Sequence, residues 1–307
     1  MSHLNTLTRV RVRLALRNKM FFFFSVIMPL GFFFLYCGVF AKADPEKVKF
    51  YLGPVLALNV MGSFWGLSAT LVTFREQGIL RRFHVTPVTA SDMLASSVLA
   101  NFSLTLPVVF VELLCARALF HVHDLGNLLT TVLLVAVGTV SFGSLGLVVA
   151  SITNTMQETQ VLNQLLWLPM LFLSGATLPV AYLSPYVQRV ALFLPATYMV
   201  SGLQNGIYFG HPIWRLPVQL LSLVCWGGLS FFVAAQLFRW EPETKIPRNA
   251  KLLAAATLIP FVLLGFFEQR NGNILQDAKT AFESMDRSEK QPTPAPADAT
   301  KPANPAN

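Results

Sequence analysis

Six stretches of the chain are apolar for long enough to approach a bilayer crossing, and polar segments separate them. They run roughly over residues 20–41, 51–73, 93–116, 125–151, 159–175 and 216–238. A hydrocarbon core of about 30 Å takes roughly 20 apolar residues as a helix, rising about 1.5 Å per residue. The pattern predicts an all-α polytopic membrane protein with a six-span domain over residues 20–239. A seventh apolar run, residues 252–267, would be about 24 Å long as a helix. It is slightly short, yet residues 240–270 read best as a linker followed by a seventh span. Beyond it the chain turns polar, and from Gln291 it is rich in Pro and Ala. Residues 271–307 are therefore expected to form a disordered tail.

Two segments break the pattern. Residues 1–19 alternate basic and apolar (Arg9-Val10-Arg11-Val12-Arg13-Leu14), which taken literally is a strand signal. An isolated strand beside a membrane leaves its backbone unpaired, so an interfacial helix is expected, its Arg side chains snorkelling to the headgroups. The other segment, Leu173–Gln204, is apolar yet carries Pro179, Pro185 and Pro195. Proline breaks helices, and irregular backbone at membrane depth survives only under cover of protein or beside water. Two short re-entrant helices near the outer face, over 176–205, fit that requirement.

Composition agrees with the pattern. Mean hydropathy is +0.55 and 12% of residues are charged, about half the fraction usual in a soluble domain. The net charge of +8 would suit nucleic acid, but its placement argues otherwise. Twelve of the 23 Lys and Arg lie before the first run, in residues 75–82, or between the sixth and seventh runs; six lie in the intervening outer loops. That positive-inside asymmetry puts the N-terminus in the cytoplasm. A signal peptide ending near Ala41-Lys42-Ala43 is the weaker reading, because its apolar core would exceed the usual 7–15 residues.

Enzyme chemistry finds little footing. No G-x-x-x-x-G-K-[ST] phosphate loop and no G-x-S-x-G elbow occurs. Cys37, Cys115 and Cys225 sit inside apolar runs as small hydrophobes. His121 and His123 share a short outer turn and read as surface residues. Glu112 is the one clear acid within a span. It should face a helix interface, water or a cation, and Arg117 near the same border is its candidate partner.

The segment between the second and third runs carries the most information. It reads Arg75-Glu76-Gln77-Gly78-Ile79-Leu80-Arg81-Arg82, then Phe83, then Thr86-Pro87-Val88. This resembles the coupling-helix segment of type-2 ABC exporter permeases, with a basic-acidic-x-Gly-x-Leu stretch before a Thr-Pro step. A second block, Leu173-Ser174-Gly175, Pro179, Leu183-Ser184-Pro185 and Leu194-Pro195-x-Thr197-Tyr198, is similar to that family's fifth span and outer re-entrant helices. The resemblance covers about residues 3–240; the seventh run and the tail depart from the six-span plan.

The resemblance implies a permease subunit of the bacterial inner membrane, exporting drugs, lipids or other amphipaths. Two permease chains would pair as a homodimer, and separate ATPase subunits carrying ATP and Mg would dock below. This chain would hold no cofactor, bind no nucleic acid and catalyse nothing itself. Residues 75–88 would sit in a groove of the ATPase: Glu76, Arg81 and Arg82 through charge-assisted contacts, Ile79, Leu80 and Phe83 through an apolar face, with Gly78 allowing close approach and Pro87 ending the helix. Candidates to line a path between the paired chains are Phe64, Trp65, Asn163, Trp167 and Met170. The alternative is a secondary transporter or channel without an ATPase. Such proteins often show internal repeats and several buried ionisable residues, whereas here Glu112 stands alone.

Overall fold

The computed structural model describes residues 2–17, 19, 23–84, 88–240 and 249–290. All regular elements among them are helical. In chain order the α-helices are α1 (Ser2–Arg17), α2 (Met28–Leu35), α3 (Pro45–Met61), α4 (Ser63–Glu76), α5 (Ile79–His84), α6 (Ala90–Ala118), α7 (Leu128–Ile152), α8 (Met156–Leu173), α9 (Pro185–Ala191), α10 (Pro195–Ile207), α11 (Pro217–Gln236), α12 (Ala250–Ala256), α13 (Ile259–Asn271) and α14 (Asn273–Lys290). Wider π-helical turns, Phe23–Ile27 and Tyr36–Phe40, flank α2.

The helix starts follow local chemistry. Asp44 caps α3 by accepting from the amides of Glu46 and Lys47, and Pro45 follows at the first helical position. Thr89 and Asp92 form a reciprocal capping box at the head of α6. Asn127 and Thr155 cap α7 and α8. The alternation in residues 9–14 does not produce a strand: α1 is a helix that lies along α6.

Five helical stretches are long and apolar enough to cross a membrane: Pro45–Glu76, Ala90–Ala118, Leu128–Ile152, Pro217–Gln236 and Leu252–Asn271. This is a multi-pass membrane protein. The first stretch joins α3 and α4 through Gly62 and outruns the expected 51–73, because its Asp44 cap and its Gly78 stop lie farther apart than the apolar run. Two expected spans do not reach the same standard. Ser25–Phe40 is a shorter apolar helix. The helix α8 is diluted by Gln157, Glu158, Gln160, Asn163 and Gln164 in its first half.

The centre of the bundle is α7, which packs against α4, α6, α10 and α11. Small residues let its neighbours approach closely. A Cβ at Gly146 would collide with the Phe64 carbonyl of α4. Across from it, the Ser141 hydroxyl sits 2.7 Å from the carbonyls of both Val137 and Leu223, tying α7 to α11.

One end of the bundle carries α1, α5 and the turn between α7 and α8. The opposite end carries α9, α10 and α14. The expected pair of Glu112 with Arg117 does not form. Glu112 is fully buried and accepts from Asn59 Nδ2 at 3.3 Å, while Arg117 donates to the His123 carbonyl at 3.2 Å. One helix turn separates the two borders, and Arg117 follows the loop rather than the interior.

The expectation of disorder after residue 271 fails for its first part. Asn273–Lys290 is an amphipathic helix, with Ile274, Ala281 and Met285 buried on one face. Phe282 packs on Tyr182 at 4.6 Å between ring centroids, Asp277 accepts from Asn205 at 3.4 Å, and Ser284 donates to Tyr208 at 3.1 Å. Its polar composition hid a face that needs only one apolar residue per turn. The Pro- and Ala-rich residues 291–307 lie outside the described residues.

Candidate functional site

The site is built where α4 ends. A two-residue turn, Gln77-Gly78, separates α4 from α5. Gly78 has φ +67°, in the left-handed region that costs a side-chain-bearing residue energy. A Cβ there would meet nothing within 4 Å. Within the chain Gly78 therefore serves by its backbone angle, and it leaves open space around the turn. The turn throws α5 back against the bundle. Leu80 is fully buried in a cluster with Leu71, Val72, Met93 and Leu94. Ile79 and Phe83 are half-buried, and Arg81 and Arg82 are exposed. The helix thus anchors through Leu80 and presents two arginines outward. Thr86 and Pro87 lie outside the described residues.

Arg75 was counted among the coupling residues, and the structure turns its side chain inward. Its side chain is 1% exposed. Nη1 donates to the Ala150 carbonyl at 2.9 Å and Nη2 to the Thr153 carbonyl at 2.6 Å. These acceptors lie in the last turn of α7 and just past it, where helix carbonyls lack intrahelical partners and the macrodipole favours a cation. Arg239, just past α11, reaches the same place: Nη2 donates to the Thr153 carbonyl at 2.7 Å and Nη1 to Asn154 Oδ1 at 3.1 Å. Glu76 completes the grip by accepting from the Met156 amide at 2.8 Å, and Glu158 accepts from the Asn154 amide at 2.7 Å. The turn between α7 and α8 is thereby clamped to the ends of α4 and α11. The bonds are charge-assisted, of the stronger class, and they join the ends of α4, α7, α8 and α11 in one place.

The second motif makes a different kind of joint at the opposite end. Gly175, at φ +91°, ends the run of α8. Ser174 Oγ accepts from the Ala176 amide at 3.3 Å. Pro179 precedes a single 3₁₀ turn, Pro185 occupies the first position of α9, and Pro195 the first of α10. Thr197 Oγ1 donates to the Ala191 carbonyl at 2.6 Å and the Tyr198 hydroxyl to the Leu192 carbonyl at 2.9 Å. The motif's hydroxyls therefore satisfy the C-terminal end of α9 and tie α10 to it.

Of the residues expected to line a path, most pack within the chain. Phe64, Asn163 and Met170 are buried, and Asn163 donates to Ser68 Oγ at 2.8 Å. Trp65 and Trp167 are half-buried, the Trp167 ring 6.0 Å from that of Phe64. The exposed face of α8 is another one: Gln157, Gln160, Val161, Gln164, Leu165, Leu168 and Phe172. Three amides on the outside of a helix between apolar neighbours are costly against hydrocarbon. Their i, i+3/i+4 spacing on α8 was the signal that sequence reasoning passed over. Arg239 was also missed, having been counted only as one basic residue among twelve.

Residues 2–208 match the family model of the ABC-2 type transporter. Over 186 residues the chain is 27% identical to the "Inner membrane transport permease YhhJ" of Escherichia coli (strain K12), covering 60% of this chain and 48% of that protein. Over 237 residues it is 23% identical to the "Putative transport permease YvfS" of Bacillus subtilis (strain 168), covering 74% and 93%. The "Linearmycin resistance permease protein LnrN" of the same organism is 25% identical over 182 residues, 59% of this chain and 47% of that protein. The chain thus spans about half the length of YhhJ and LnrN and nearly all of YvfS.

Proposed function

Because the chain belongs to the ABC-2 type transporter family, we propose that it is the membrane permease of an ATP-driven exporter that moves a drug, lipid or other amphipath out of the cytoplasm. Energy comes from a separate ATPase subunit that binds ATP and Mg. The basic end of the bundle is cytoplasmic, following the excess of Lys and Arg there, and the membrane is the bacterial inner membrane. Six crossings form the core, α9 and α10 re-enter from the outer side, and α12 with α13 makes a seventh crossing.

The observation that carries this reading is the clamp. An exposed, arginine-tipped helix is worth joining rigidly to four long helices only if something pushes it. Arg81 and Arg82 are the contacts to the ATPase. Arg75 and Glu76 transmit the motion inward and touch the ATPase little. Two copies of the chain pair with their α8 faces toward one another, and Gln160, Gln164, Val161, Leu165 and Leu168 border the path. An amphipathic cargo meets both amides and apolar side chains there. The similarity to LnrN, a linearmycin resistance permease, supports a drug-like cargo.

Charge reversal tests the reading. In membranes coexpressing the ATPase, Arg81→Glu with Arg82→Glu is expected to abolish copurification of the two subunits and stimulated hydrolysis, while the permease still inserts and melts normally. Intact copurification and hydrolysis in that variant would overturn the coupling assignment.

A further inference from the structure

We propose that the cleft between α1, α4 and α6 binds one anionic membrane lipid, with an acyl chain in the cleft and the phosphate on Arg11. The cleft has a volume of about 480 Å³, within the range of roughly 300–1,000 Å³ common to small-molecule sites. Its walls are mostly apolar. Leu14 and Ala15 come from α1, Gly66 and Ala69 from α4, and Ala100 and Leu104 from α6. The small residues leave the room, and no side chain of the described residues fills it.

Two donors in the cleft lack adequate acceptors. The Arg11 guanidinium lies 5.5 Å from the centroid of the Phe74 ring and donates through Nη2 to Met93 Sδ at 3.0 Å. A thioether is a weak acceptor. Among the described residues no carboxylate pairs with Arg11. Burial lowers its pKa to about 10, so it keeps its charge at neutral pH. Asn101, on the α6 wall, holds a buried Nδ2 with no hydrogen-bond partner. A cation and an amide donor at an apolar cleft match a phosphate and an ester carbonyl above a hydrocarbon chain.

The position favours a lipid over other anions. The cleft lies beside the basic helix α1, whose Arg9, Arg13 and Arg17 raise the local concentration of anionic headgroups. A free phosphate would satisfy Arg11 and leave the apolar walls uncovered. The inference depends on α1 lying at the membrane and is independent of the ATPase assignment.

Native mass spectrometry of the full-length permease in detergent tests it. After exhaustive delipidation the protein is titrated with phosphatidylglycerol, with phosphatidylethanolamine, or with inorganic phosphate. Wild type should retain one phosphatidylglycerol per chain, in preference to phosphatidylethanolamine, and phosphate should not compete at millimolar levels. Arg11→Gln should weaken retention roughly tenfold or more, as expected for loss of a charged hydrogen bond, and Arg11→Lys should restore most of it. Ala69→Phe, which fills the cleft from a half-buried position, should abolish retention with α1 still docked, as reported by a disulfide engineered between α1 and α6. The proposal fails if no stoichiometric lipid is retained, if Arg11→Gln binds as wild type does, if phosphate alone displaces the lipid, or if crosslinking through Ala15→Cys finds a second copy seated in the cleft.

Discussion

Replacing Arg75 with Met removes both hydrogen bonds that this side chain gives the clamp while keeping a side chain of similar length. Hydrogen bonds to a charged group contribute about 1.5–3 kcal/mol each, so the gross loss is about 3–6 kcal/mol. Two effects offset part of it. The guanidinium no longer has to be desolvated, and Arg239 is relieved of a like charge converging on the same Thr153 carbonyl. The net destabilisation should be about 2–4 kcal/mol. At roughly 2–4 °C per kcal/mol for a chain of this size, the melting temperature in detergent should fall by about 5–15 °C. Arg239→Met alone should cost less, because Arg75 still serves both carbonyls.

The double variant decides the mechanism. In either single variant Thr153 keeps one donor and the repulsion between guanidiniums is already gone. In the double variant the carbonyl is orphaned and no further repulsion is relieved. Both effects carry the same sign, so the double loss should exceed the sum of the single losses by about 0.5–3 kcal/mol. Thermal unfolding followed by tryptophan fluorescence across the four proteins gives the cycle. Strict additivity, or an Arg75→Met protein melting within a degree of wild type, would refute the shared-acceptor clamp.

Three further outcomes are expected. Glu112→Gln keeps an acceptor for Asn59 and should change stability by less than about 1 kcal/mol, whereas Glu112→Leu orphans the amide and should cost about 1–3 kcal/mol, read from the same melts. The Asp124 carboxylate is held below its usual range, first by Lys49 Nζ at 2.6 Å and then by the Gly126 amide. Its contribution is present above the unfolded carboxylate pKa of about 4 and lost as pH falls through the lowered native value, so the small melting difference between wild type and Lys49→Met should vanish toward the acid end. Cysteines placed at Arg81 and Arg287, both exposed, should react with an impermeant thiol reagent from opposite sides of the membrane; labelling from one side would remove the seventh crossing.

Much of the fold was legible because lipid leaves few choices. Long apolar runs must be helices, and Asp44-Pro45, Thr89 with Asp92, and Gly78 mark where they begin and end. The failures share a cause. Arg75, Arg81 and Arg82 are the same residue type within eight positions, and only the packing distinguishes one buried against a helix end from two that face outward. For the expected path aromatic side chains drew notice, while the chain uses Phe64 and Trp167 as packing and leaves glutamines of α8 outside. The helix α14 was lost to composition: 18 residues with few apolar side chains read as polar until Phe50, Tyr182 and Tyr208 supply the surface that receives them.

The seat of α14 on α10 and on the 3₁₀ turn ahead of α9, away from α1 and α5, bears on what this permease could be joined to. In the proposed topology an odd number of crossings leaves α1 and α14 in different compartments. An ATPase domain joined to α14 would be stranded where there is no nucleotide. In that topology an ATPase domain could reach α5 only from the side of α1, and a domain joined to α14 would become an external appendage.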